Sequence, residues 1–172
     1  MTRWMCIFLS LTCAGCGYKM VAWSSANYRT VEVLPVQALG TGEAHELRFR
    51  LRDALMTRFL SNSGLKPVVQ DADLVLSTNL TNVGQETLAT GTDGRTERFQ
   101  LTIVASFKLL DAQGQELWQL ENYRYTEQIP VATTTQSYTD ETVRVQEAAM
   151  SAIADLVVRN VSLVISELAE SK

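Results

Sequence analysis

Between Arg98 and Leu110 apolar and polar residues alternate almost without exception. Phe99, Leu101, Ile103, Ala105, Phe107 and Leu109 fall on one side; Gln100, Thr102, Ser106 and Lys108 fall on the other. A period of two places successive side chains on opposite faces of a strand, so this segment predicts a long strand in a sheet covered on one side. Weaker versions of the pattern predict strands at Thr30 to about Val36, Leu65 to Val69, Leu74 to about Leu88 and Glu116 to about Ile129. Turn chemistry separates the last three. Gly91-Thr92-Asp93-Gly94 carries the Asp-Gly hairpin signal, and Asp111-Ala112-Gln113-Gly114 marks a second turn.

The period lengthens to that of a helix in two places. From Glu43 to about Asn62, Leu47, Leu51, Ala54, Leu55 and Phe59 share one arc, and Ser63-Gly64 supplies a C-terminal stop. From about Thr139 to Leu168, Val143, Met150, Ile153, Val157, Val161, Val164, Ile165 and Leu168 form a second arc. Val145, Ala152, Leu156 and Leu163 widen it, leaving a wet strip at Arg144, Ser151, Asp155 and Ser162. The order strand, helix, antiparallel meander, helix predicts an α+β sandwich with both helices on one face of the sheet. Phe49, Met56 and Leu60 lie nearly opposite the Leu47–Leu55 stripe. A second apolar face on such a helix needs a neighbour, either within the domain or on a partner, so these three are the candidate partner interface.

The amino terminus follows a different grammar. A basic tip, Met1-Thr2-Arg3, precedes a short apolar run that ends in Ala14-Gly15-Cys16. That run is shorter than a membrane-spanning helix needs, and it has the layout of a secretory signal. Ala14-Gly15-Cys16 resembles the end of a bacterial lipobox, although Cys13 stands where leucine is usual. The reading is a leader over 1–15, a lipidated tether over 16–28 and a single α+β domain over 29–172. Cys16 carries the S-diacylglycerol and N-palmitoyl groups. Several acyl chains anchor a protein stably. Gly17, in place of the aspartate that signals inner-membrane retention, points to the periplasmic side of the outer membrane. Ordinary secretion after an A-x-A-like site is the plainer alternative.

Charge and side-chain chemistry narrow the function further. The 172 residues hold 15 Lys+Arg against 19 Asp+Glu, an acidic balance that argues against nucleic acid. Cys6 and Cys13 depart with the leader, so no disulfide, free thiol or zinc site is expected in the mature domain. His45 is the sole histidine, and it falls on the less apolar side of the first helix. Asp71 and Asp73 are too few oxygens for calcium and suit a turn before a strand. No cofactor, metal or catalytic role is expected.

Cys16-Gly17-Tyr18-Lys19-Met20, Val31-Glu32-Val33, Ala72-Asp73-Leu74, Arg98-Phe99-Gln100-Leu101, and Ala148, Ala149, Ile153 and Leu156 occur in the order seen in one family. On these marks the whole chain resembles the LPS-assembly lipoproteins, LptE. The resemblance implies two helices packed on one face of a mainly antiparallel four-stranded sheet. It also implies a plug inside the LptD β-barrel that supports barrel assembly and helps deliver lipopolysaccharide to the outer leaflet. The family's basic lipopolysaccharide contacts fall near Thr92 and Ser137, neither of them basic. Arg95, Arg98 and Arg124 are therefore the candidate contacts, with planar donors suited to phosphate. Two other classes remain: a lipoprotein that scaffolds another envelope complex, and a periplasmic lipid-binding module. Replacing Cys16 with Ala is expected to abolish acyl labelling and to release the protein or leave uncleaved precursor. Continued labelling would move the lipid to Cys13.

Overall fold

The alternation that marks Arg98 to Leu110 becomes the middle of a long strand whose odd-numbered residues are sealed under two helices. In the computed structural model, residues 28–39, 43–90, 96–130 and 135–170 are described; Cys16, Thr92 and Arg95 lie outside them. The elements are β1 (Thr30–Val33), β2 (Gln37–Ala38), α1 (Glu43–Asn62), β3 (Lys66–Val68), β4 (Leu74–Thr90), β5 (Thr96–Asp111), β6 (Glu116–Pro130) and α2 (Thr135–Glu170).

The sheet corrects the expectation of a mainly antiparallel four-stranded one. Six strands form a mixed sheet in the order β3-β1-β4-β5-β6, with β2 also on β4. β1 runs parallel to both β3 and β4, and β2 is parallel to β4. The cause is α1. A helical crossover returns the chain in its starting direction, so the strand after it joins in parallel. β2 continues the first strand beyond Pro35, which has no N–H for the ladder. β4, β5 and β6 form the expected antiparallel meander. The turn predicted at Asp111–Gly114 closes around the Asp111 carboxylate, which accepts the N–H groups of Gln113 at 2.9 Å and Gln115 at 2.8 Å. Gly114 takes the positive φ of 82° that this turn requires.

The core lies between the sheet and the helices. Val31, Val33, Leu74, Leu76 and Leu80 meet Leu101, Ile103, Ala105, Phe107 and Leu109 on the same sheet face, all buried. Leu47, Leu51, Leu55 and Phe59 of α1 and Ile153, Val157, Val161 and Ile165 of α2 close it from above. Each such side chain contributes about 1.5–3 kcal/mol through burial. The helices run side by side in the same direction, because their contacts advance together. Arg50 meets Glu147 at 3.5 Å, and eight residues on in both helices Arg58 meets Asp155 at 2.9 Å. Arg58 also donates to Ser151 Oγ at 2.8 Å. Ser151 and Asp155, expected to be wet, are half-buried because α1 covers them.

Asp73 fastens the entry of the chain to the sheet. Its Oδ2 accepts the N–H of Arg29 at 2.7 Å, the N–H of Thr30 at 2.9 Å and the Thr30 hydroxyl at 2.8 Å. Its own N–H donates to Thr30 Oγ1 at 2.9 Å. The Arg29 N–H does most to hold this carboxyl below its ordinary value of 3.8; burial opposes it, and Thr30 adds to the lowering. Asp73→Ala is expected to cost about 1–3 kcal/mol in urea unfolding at neutral pH. A depressed folded-state pKa stabilises above the unfolded value and loses that effect as pH falls through the folded one. The gap between wild type and Asp73→Ala should therefore be full above about pH 5 and shrink in acid. A gap independent of pH would mean that the carboxylate charge plays no part.

Candidate functional site

Two surfaces carry chemistry beyond what the core requires. The first is the outer ridge of α1. Phe49, Met56 and Leu60 project within a narrow angular range on the wheel, away from the Leu47–Leu51–Leu55 stripe. Phe49 is 57% exposed and Leu60 is 70% exposed, whereas Met56 is half-buried and packs against the core. Phe49 is held in a small cluster. The Arg48 guanidinium sits 4.5 Å above its ring, and His45 meets the ring edge-on at 6.0 Å. Arg48 Nη2 lies 2.8 Å from His45 Nε2, within hydrogen-bond distance. An aromatic ring held by a cation is a prearranged contact, worth roughly 0.5–1 kcal/mol at an exposed site.

The second surface is the sheet face away from the helices, which bears the even-numbered residues of β5. Arg98 and Arg124 both lie on it and are exposed. The register sets Arg98 opposite Pro130 and Arg124 opposite Val104. Six residues along the ladder therefore separate them, about 20 Å at the usual rise per residue. The structure places the two arginines on one face and does not bring them into one cluster. Between them, Gln100 faces Gln128 and Thr102 faces Thr126. A shallow depression of about 330 Å³ is lined by Gln100, Thr126, Glu127 and Gln128. In the alternate, core-facing phase of β6, Tyr125 donates to Glu127 Oε2 at 3.1 Å, and burial followed by this bond pushes the phenol pKa up. The polar phase of β5 was visible in the sequence, but the β6 residues that complete each pair depend on register.

Register is hard to read because bulges and irregularities shift it at several points, two of them in the middle of the meander. β4 slips between Leu80 and Asn82, so its core-facing residues change from even to odd: Leu80 is followed by Val83, opposite Ile103. β6 slips between Leu120 and Tyr123. There Asn122 has a φ of 52°, and its N–H donates to Ser106 Oγ at 3.0 Å.

His45 lies exposed on α1, outside both sheet faces, and Asp73 is engaged by backbone donors. Among the described residues no group of three or more His, Cys, Asp or Glu could hold a metal ion. Glu141–Glu170 of α2 is long and apolar enough to cross a membrane. Its apolar arc nevertheless rests on the sheet, as befits a core helix.

Phe49 and Met56 differ in burial, so substitutions there should differ in cost. Phe49→Asp is expected to change unfolding stability by no more than about 1 kcal/mol. Met56→Asp should cost about 2–3 kcal/mol, because it sets a carboxylate against the core. Equal losses in urea unfolding would show that the two positions share one environment.

A family model described as LptE, lipopolysaccharide-assembly, matches residues 28–161. No curated protein sequence matches the chain. Among solved structures, the chain is similar to lipoprotein B from Nitrosomonas europaea, with a TM-score of 0.58 and 16% identity over 78% of this chain and 83% of that one. It is also similar to rare lipoprotein B from Shewanella oneidensis, with a TM-score of 0.53 and 14% identity over 80% of this chain and 98% of that one. At these identities the likeness is one of fold.

Proposed function

Because the chain belongs to the lipopolysaccharide-assembly family LptE, we propose that the outer ridge of α1 meets the LptD barrel while the open sheet face meets lipopolysaccharide. Members of this family are non-catalytic, lipid-anchored outer-membrane proteins that face the periplasm. They plug and support the LptD barrel in lipopolysaccharide assembly. What is proposed for this chain is which residues do so.

The observation that carries the reading is the exposure of Phe49 and Leu60 on a helix whose opposite stripe already fills the core. Water-exposed aromatic and aliphatic side chains on a rigid element make efficient anchors, since burying them costs little conformational entropy. Met56 supports the row from the core side. On the far side of the domain, Arg98 and Arg124 offer bidentate donors to phosphate. Arg95, five residues before Gln100 in sequence, is a further candidate contact. Cys16 serves as the lipid attachment point. The segment from Cys16 to Tyr28 spans at most about 40 Å when extended, which lets the domain leave the bilayer surface while tethered to it.

Phe49→Asp combined with Leu60→Asp tests the barrel assignment. The variant is expected to remain folded by circular dichroism and to lose co-purification with the barrel from solubilised outer membrane, because an unpaired charge is costly in a desolvated interface. Normal recovery of the barrel by a folded variant would place the interface elsewhere.

A further inference from the structure

The middle of β4 contains a glycine that the fold does not explain. Gly84 lies in the interior of the strand, where glycine weakens a sheet and often marks close approach of a ligand or another backbone. A Cβ added there would meet nothing nearer than Asn82 Nδ2 at 3.9 Å, and Gly84 has no positive φ to require glycine. Neither packing nor backbone conformation calls for a missing side chain. What the glycine does create is a notch on the open sheet face, because Gly84 stands opposite Thr102, and Thr102 opposite Thr126.

Most of the surroundings of the notch are polar; Val104, beside Thr102 in the Asn82–Val104–Arg124 row, is apolar. The next row along the ladder is Glu86, Gln100 and Gln128. Each glutamine offers an acceptor and two donors, each threonine a donor and two acceptor lone pairs, and the carboxylate only accepts. Same-face residues on neighbouring strands are about 5 Å apart, and successive ones along a strand about 7 Å. Vicinal hydroxyls both donate and accept, so such a grid suits a sugar. It does not suit acyl chains, which need an apolar lining. The arginines Arg98 and Arg124 stand at the two ends of the strip, placed for phosphate or carboxylate groups carried on a glycan.

We infer that the strip centred on Gly84 and Thr102 binds the oligosaccharide portion of lipopolysaccharide, with a sugar ring lying over the notch at Gly84. This rests on the assignment of lipopolysaccharide to the open sheet face and names which part of the molecule that face reads. Ring-to-backbone contact at the notch fixes position, while the paired glutamines and threonines select hydroxyl geometry.

The test uses the mature lipoprotein in detergent with three probes: intact lipopolysaccharide, the core oligosaccharide released from it by mild acid, and lipid A alone. Gly84→Val adds a β-branched side chain that favours strands and fills the notch. It is expected to keep or raise the unfolding midpoint while weakening oligosaccharide binding at least tenfold and leaving lipid A binding unchanged. Gln100→Leu with Gln128→Leu should give the same selective loss. Oligosaccharide binding that survives Gly84→Val overturns the inference. So does a wild type that binds intact lipopolysaccharide and lipid A but not the oligosaccharide, which would leave the wider assignment standing. A wild type that binds none of the three probes overturns both.

Discussion

One-sided burial on β5 constrains the rest of this domain. Its odd-numbered residues, Leu101 to Leu109, must leave water together, and two helices lying side by side are what cover them. Both helices spend their principal apolar stripe on that single sheet face and are joined laterally by Arg58 with Asp155 and Ser151. Two surfaces are left to meet other molecules: the far side of the helices and the far side of the sheet. They differ in chemistry because their inner faces are already committed. The helix side keeps Phe49 and Leu60 exposed, and the sheet side keeps amides, hydroxyls and arginines.

This division suits a protein that plugs a barrel and handles a glycolipid. An aromatic ridge on a helix docks against protein by excluding water, while a polar sheet face can remain wet and exchange hydrogen bonds with a moving ligand. Neither activity needs a perturbed acid or a nucleophile. The clearly depressed carboxylate of Asp73 answers to local geometry at the point where the chain enters the sheet. Asp73 holds Arg29 and Thr30, and the N–H of Lys66 donates to the Arg29 carbonyl at 2.9 Å, so the start of β1 is fixed to the strands on both of its sides.

The parts of this architecture that depend on local pattern were legible in the sequence. The alternation of β5, the Leu47–Phe59 stripe of α1, the stop at Ser63-Gly64 and the Asp111 turn each follow from residues close in sequence. The parts that depend on which strand meets which were not. Thr30–Val33 alternates equally well in a parallel or an antiparallel ladder, so the parallel pairing of β1 with β3 and β4 was hidden. β2 is two residues long and carries no periodic signal. The bulges at Thr81 and near Asn122 reverse the inward phase within β4 and β6, which blurs their alternation and conceals register. For the same reason Arg98 and Arg124 could be assigned to one surface by chemistry while their separation along the ladder could not be seen. The exposure of Phe49 and Leu60 is nearly readable from the helical wheel, but the partial burial of Met56 depends on the neighbouring core.

Site-specific photo-crosslinking in cells bears most directly on the division of labour between the two surfaces. A photoreactive residue would be placed singly at Phe49, at Leu60 and at Gln128, and the adducts identified by mass. Adducts with the large barrel protein from Phe49 and Leu60, and with lipopolysaccharide from Gln128, are the predicted result. Barrel adducts from Gln128 with none from the α1 ridge would contradict it.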